Sequence, residues 1–205
     1  RIGPRRDIAT EAEERILFER RTSYMATFDA MPCFGATIKD IDVEYIKNKY
    51  LPQIIDEDVL LSDTRSIREQ LASIHLYDLN HNCPTNAAII LFGNNPLYFM
   101  HGCYVQYVHF AGKDKGSEII NERQIKGNLC TMLPQLENFV KNAVVTARPI
   151  PISMLREKTV LNYPDLALRE LLMNACMHRD YQSNMPIRLY QYEDRIEILN
   201  AGGLY

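Results

Sequence analysis

Glu170, Asn174 and His178 stand at four-residue intervals in the stretch Ala167-Leu168-Arg169-Glu170-Leu171-Leu172-Met173-Asn174-Ala175-Cys176-Met177-His178. Residues four apart on a helix lie one above the other on a single face. The spacing therefore predicts one helix with a polar stripe, beside an apolar arc of Leu168, Leu171, Leu172 and Ala175. A carboxylate and an amide on one ridge can hold a metal–phosphate group and polarise a water for attack. Glu170 is the candidate base or water-orienting group. Asn174 is a neutral oxygen ligand suited to magnesium. The plain alternative is a solvated helix edge, with His178 serving the helix end through Asp180 or a terminal carbonyl. Downstream, Asn200-Ala201-Gly202-Gly203 follows a strand pattern, and glycine lets backbone approach a ligand without a Cβ.

Several elements must position this stripe. Thr10-Glu11-Ala12-Glu13 has the form of a capping box and predicts a helix over 11–21. Asp42 caps a second helix that Pro52 should limit, and a third is expected over 64–74. The continuous apolar run Ala87-Ala88-Ile89-Ile90-Leu91-Phe92, stopped by Gly93-Asn94-Asn95-Pro96, reads as a buried strand. Tyr104 to Phe110 is a second strand, rich in aromatic and β-branched residues, and a third is expected over 119–125. A helix over 128–146 carries Leu129, Leu133, Leu136, Phe139, Val140 and Val144 at helical spacing, with Pro134 expected to shift its start or kink it. Arg148-Pro149-Ile150-Pro151 marks a boundary of extended chain. Beyond the Glu170 helix come a strand over 187–192, a turn at Glu193-Asp194 and a strand over 196–199.

The chain of 205 residues is 46% hydrophobic and 24% charged, an ordinary globular balance with room for one domain or two small ones. No apolar run approaches the roughly 20 residues that span a bilayer. The start, Arg1-Ile2-Gly3-Pro4-Arg5-Arg6, has no signal-peptide core and no Met, so it reads as part of something longer. Five scattered cysteines without a C-x-x-C pair suggest free thiols and a cytoplasmic setting. A net charge of −3 gives no global nucleic-acid signature. Arg5, Arg6, Arg15, Arg20 and Arg21 are interleaved with Glu11, Glu13, Glu14 and Glu19, as on a solvated helix. His101-Gly102-Cys103 with His109 fits no closed zinc set.

Glu170-x-x-x-Asn174-Ala175-x-x-His178-Arg179-Asp180-Tyr181, followed by a hairpin and Ile198-Leu199-Asn200-Ala201-Gly202-Gly203-Leu204, resembles the divergent ATPase module of bacterial RecG-related proteins, a family described as DNA helicases or transcriptional regulators. Pro84-Thr85-Asn86-Ala87-Ala88-Ile89-Ile90-Leu91-Phe92-Gly93 and Val108-His109-Phe110-Ala111-Gly112 are similar to that family's middle region. Arg1-Ile2-Gly3 looks like the last strand of its AlbA-like, Schlafen-type DNA-binding domain. The resemblance implies three parts: residues 1–22 as the tail of an upstream domain with a linker helix, 23–147 as a mixed α/β middle domain, and 148–205 as the start of an ATPase-like module. The module belongs with the gyrase, MutL and histidine-kinase (Bergerat-type) ATPases.

The fold expected is thus α+β, a mixed domain leading into helix-on-sheet. By position, the resemblance makes Glu170 the water-activating residue and Asn174 the magnesium ligand. It assigns Asn200, Gly202 and Gly203 to nucleotide binding, with ATP and magnesium as cofactors. Asn200 stands where the family has an Asp that reads the adenine amino group, and an amide oxygen accepts that bond without the strength of a charge. The chain carries no G-x-x-x-x-G-K-[ST] loop and no helicase motor motif.

Two expectations follow. One is an ATP-responsive DNA-binding regulator that contacts DNA through an upstream domain and uses ATP only in its full-length form. The other is a non-catalytic connector or dimerisation module, with the strand over 104–110 as an edge for homo-oligomer formation.

Overall fold

The computed structural model describes residues 27–202. The expected helix over 11–21, its Thr10 cap, the proposed upstream segment 1–22 and Gly203 lie outside the described residues.

The chain enters through short helical pieces. Asp42 caps α1 (Val43–Tyr45), its carboxylate accepting from the Tyr45 N–H at 2.9 Å. The backbone then widens into a π turn, Ile46–Tyr50, before α2 (Leu51–Ile54). Pro52 sits inside that last turn, and the helix ends two residues later at Ile54, with Ile55 extended. Pro52 lacks an N–H, and the wider turn ahead of it accommodates the ring that would otherwise crowd a carbonyl. Helices α3 (Glu57–Ser62) and α4 (Ile67–Ser73) follow. Helix α4 opens on a reciprocal capping box, in which Ser66 and Glu69 satisfy each other's backbone N–H groups.

A small ribbon of β1 (Tyr77–Asp78) and β2 (Cys83–Pro84) leads to the segment expected as a strand. It is a helix, α5 (Asn86–Phe92). A short, wholly apolar run does not distinguish a buried strand from a buried helix by pattern. The Thr85 hydroxyl decides the matter locally by accepting from the Ala88 N–H, as an N-cap does. Ala88, Ile89 and Phe92 are almost completely buried, among Ile46, Leu71 and the rest of a first apolar cluster. Helix α6 (Pro96–Phe99) ends this helical part.

The second part is a four-stranded sheet built from β3 (Tyr104–Phe110), β4 (Ile119–Lys126), β7 (Ile187–Gln191) and β8 (Ile196–Leu199), in the order β4-β3-β7-β8. Strands β3 and β7 run parallel; the other two pairs are antiparallel. Helix α7 (Leu129–Phe139) lies against β4, and α8 (Asp165–His178) against β8. Between these layers Val105, Tyr107, Met132, Leu136, Leu168, Leu172, Ile187 and Leu189 form one core. The fold is α+β, as expected.

Four expectations change here. The β3–β7 ladder and the core it serves draw on both sides of the proposed 147/148 division, so 23–147 and 148–205 do not form separately packed domains. Strand β3 is interior, so residues 104–110 present no edge for association; among the described residues, β4 and β8 are the edges of this sheet. Helix α7 begins at Leu129, before Pro134, and continues as a π turn, Val140–Val144. Its Asn128 cap accepts from the Thr131 N–H and donates to the Gly93 carbonyl at 2.9 Å, tying the sheet part to the helical part. The Arg148–Pro151 segment is more than a boundary. It belongs to β5 (Ala147–Ser153), which pairs with β6 (Arg156–Leu161) as an exposed hairpin arm.

All five thiols are free; Cys33, Cys83, Cys103 and Cys176 are buried and Cys130 half-buried. Burial pushes the Cys33 and Cys176 thiols up to about 11, with a neighbouring cysteine adding to each. At pH 8 such a thiol is only about 0.1% thiolate. Alkylation of Cys33 and Cys176, followed by mass spectrometry, should be at least about 100-fold slower in the native chain than in urea.

Candidate functional site

Helix α8 buries Leu168, Leu172, Ala175 and Cys176 against the sheet. Glu170, Asn174 and His178 are exposed on the opposite side, in the single stripe their spacing predicts. Leu171, expected in the apolar arc, is 53% exposed and belongs with the stripe. At about 100° per residue, position 171 turns away from the line through 168, 172 and 175. The Asn174 amide donates to Glu170 Oε1 at 3.3 Å, so the two candidate ligand side chains meet one turn apart.

The C-terminal end of α8 is held by a buried cation. Arg179 is 5% exposed and donates to the carbonyls of Ser183, at 2.7 Å, and Met185, at 2.9 Å. Its guanidinium lies 4.9 Å over the Tyr181 ring, and the Tyr181 hydroxyl donates back to the Cys176 carbonyl at 2.7 Å. Gly102 makes room for this knot: a Cβ there would fall 2.2 Å from Arg179 Nη2 and 2.7 Å from the Ser183 carbonyl oxygen. Arg179-Asp180-Tyr181 thus shapes the exit from the helix. The expected imidazole–Asp180 bond does not form. Asp180 Oδ1 accepts the Gln182 N–H at 2.9 Å instead, and among the described residues no hydrogen bond engages the His178 ring.

The second motif segment comes back to the same helix. The Asn200 amide donates to the Ala175 carbonyl at 3.4 Å, and the Asp180 N–H donates to the Ala201 carbonyl at 2.8 Å. Gly202 has φ of +137°, a region that strains any residue with a side chain. A Cβ there would lie 3.4 Å from the His178 carbonyl oxygen. Residues 200–202 therefore lie along the last turn of α8 and the exit from it, against the Ala175 and His178 carbonyls and Asp180. With its amide nitrogen turned to Ala175, Asn200 keeps its oxygen as an acceptor.

Glu170 and Asn174 supply oxygens of the kind a hard cation takes, and too few to hold one alone; phosphate oxygens and water would have to complete the shell. The donor chemistry fits a magnesium ion carried by a nucleotide, and does not fit a free-standing metal centre. Consistent with this, no group of three His, Cys, Asp or Glu side chains converges among the described residues. His101 Nδ1 pairs with the Leu97 carbonyl, and Cys103 is buried.

A feature that the sequence did not reveal is a groove of about 650 Å³ between α7, α8 and the base of the β5–β6 arm. Leu133, Val140, Leu166 and Leu172 line it, with Glu137, Lys141, Asp165 and Arg169 around them. Lys141 and Glu137 form an ion pair at 2.6 Å. The periodicity of α7 marks these apolar residues as core, and only the divergence of two helices shows that part of the face is open. Glu170, Asn174, Asn200 and Gly202 do not line the groove.

No protein-family model and no curated protein matches the chain. Among solved structures, the chain is similar in fold to the DIP2311 protein from Corynebacterium diphtheriae, with a TM-score of 0.57 and 19% sequence identity over 93% of this chain. The match spans 37% of that protein's length. At this identity the likeness concerns the fold. No helix among the described residues is long and apolar enough to cross a membrane.

Proposed function

We propose that the chain is part of an ATP-responsive DNA-binding regulator and carries the beginning of its nucleotide site. The observation that supports this most is convergence. Glu170 and Asn174 share one face of α8, and Asn200 and Gly202, from a strand end 26 or more residues later, return to the same helix at the Ala175 and His178 carbonyls, about two turns or less beyond Glu170. Glu170 would orient or deprotonate the attacking water, Asn174 would contribute an oxygen to magnesium, and the Asn200 oxygen would accept from the base. The bound magnesium–nucleotide would supply the phosphoryl electrophile and its charge neutralisation. The open, solvated stripe is suited to binding only when further chain covers it, so turnover belongs to the full-length protein. DNA contact is assigned to an upstream domain.

Magnesium-dependent ATP binding by the full-length protein tests this. Millimolar ATP with magnesium should raise its melting temperature by several degrees. Glu170→Gln should keep that shift and abolish hydrolysis, whereas Asn174→Ala should weaken binding about tenfold or more. A melting curve indifferent to nucleotide would remove the proposal.

The second reading is a connector in which the stripe is only a fold signature. The β3–β7 ladder favours it, because one sheet joins what the nucleotide proposal treats as separate regions. Under it, the full-length protein binds no nucleotide, and Glu170→Gln changes nothing.

A further inference from the structure

The hairpin arm β5–β6 is two strands deep and meets solvent on both faces. Met154 and Leu155 at its tip are 102% and 96% exposed, and Ile152 is 66% exposed. An isolated two-stranded hairpin is marginal in water, and apolar residues at its tip make it more so. At the arm's base lies the 650 Å³ groove, floored by Leu133, Val140 and Leu172 and edged by Leu161 and the 77%-exposed Leu166. We propose that two copies of this chain form a two-fold dimer in which each arm lies in the other copy's groove.

Geometry selects a second copy over the arm's own chain. The ladder runs from Ala147↔Leu161 at the base to Ser153↔Arg156 near the tip. Seven extended residues span roughly 20 Å, so the tip stands that far from its own groove and cannot return without breaking the hairpin. Two arms laid side by side in opposite directions bring each tip to the other's base, the self-complementary arrangement of a two-fold contact. The size is adequate as well. The fifteen arm residues 147–161 and the thirteen that line the groove, with Leu161 common to both, set an upper bound of 27 a side, against the roughly 20–30 of a standard interface.

Strand addition to β5 is disfavoured. Pro149 and Pro151 lack N–H groups at positions two apart, hence on one edge of the strand. The ladder to β6 continues through both, so that edge is the free one. The contact must be made by side chains, with Ile152, Met154 and Leu155 over Leu133, Val140 and Leu166. This dimer is independent of nucleotide binding.

Sedimentation velocity on the 205-residue chain at about 10 µM should show a dimer. The tip variant Met154→Asp/Leu155→Asp should dissociate it, weakening association about 100-fold or more. The monomer should stay folded by circular dichroism, because within one copy both side chains are open to solvent, and its melting temperature should lose only the concentration-dependent part that the dimer supplies. The groove variant Leu166→Asp should dissociate in the same way. Mixing the two variants, at a concentration where neither self-associates, should restore a heterodimer through the one intact arm–groove contact. A monomeric wild-type chain, a dimer indifferent to the tip substitutions, or a mixture that stays monomeric would each overturn the proposal.

Discussion

Tyr107→Ala should destabilise the chain by about 3–5 kcal/mol and leave a single unfolding transition. Tyr107 is 1% exposed at the centre of β3, and its ring meets Phe139 edge-on at 4.7 Å. Its hydroxyl donates to Gln191 Oε1 on β7 at 2.7 Å, and burial pushes its pKa up to about 12. Truncation would therefore open a cavity between sheet and α7 and also leave the Gln191 acceptor without its donor. The loss is a large share of the 5–15 kcal/mol that holds an ordinary domain. Because Tyr107 precedes residue 147 and Gln191 follows it, the transition reports on domain structure. Urea melts followed by far-ultraviolet circular dichroism and by tyrosine fluorescence should coincide and shift together. Two separated transitions, with only one of them moved by the substitution, would restore the 147/148 division.

Arg179→Met should cost about 2–3 kcal/mol, because the carbonyls of Ser183 and Met185 lose a buried, charge-assisted donor and Tyr181 loses its stacking partner. The side chain is nearly as long, so packing volume is largely kept and the loss is chiefly one of hydrogen bonds. Gly102→Ala attacks the same knot from the other side, since its methyl would occupy the place of the guanidinium. The two substitutions should be strongly non-additive: once Arg179 is gone, the extra methyl at 102 meets less resistance. Denaturant titration of both single variants and the double variant measures the coupling, and simple additivity would separate Gly102 from Arg179. Loosening this knot should also release residues 200–202 from α8, because the Asp180–Ala201 hydrogen bond hangs from the same turn.

The legible parts of the fold were those with local causes. The strand over 104–110 follows from its aromatic and β-branched composition, and the cap at Asp42 from a side chain that reaches its own backbone. Alternation also explains why Val105 and Tyr107 face the helices while Val108 and Phe110 face the other side with Tyr192. The misread segment, 87–92, was one where burial on every side erases periodicity, so that strand and helix present the same string of apolar residues. The proline-rich arm was missed because two prolines argue against a strand unless their edge is free, and which edge is free is a property of the ladder.

By itself the sequence determined the polar stripe of α8. Four-residue spacing puts Glu170, Asn174 and His178 on one face of any helix that forms, and the Glu170–Asn174 hydrogen bond is a direct result. It also determined that Gly202 could take a backbone conformation closed to other residues. Only the tertiary structure decided that Asn200 and Gly202 would return to that helix, that the stripe would face solvent, and that β7 would pair with β3 across the expected boundary. Local spacing constrains which residues share a face. Which face meets which depends on long-range strand pairing and on a shared core, whose free energy is spread over residues far apart in the chain.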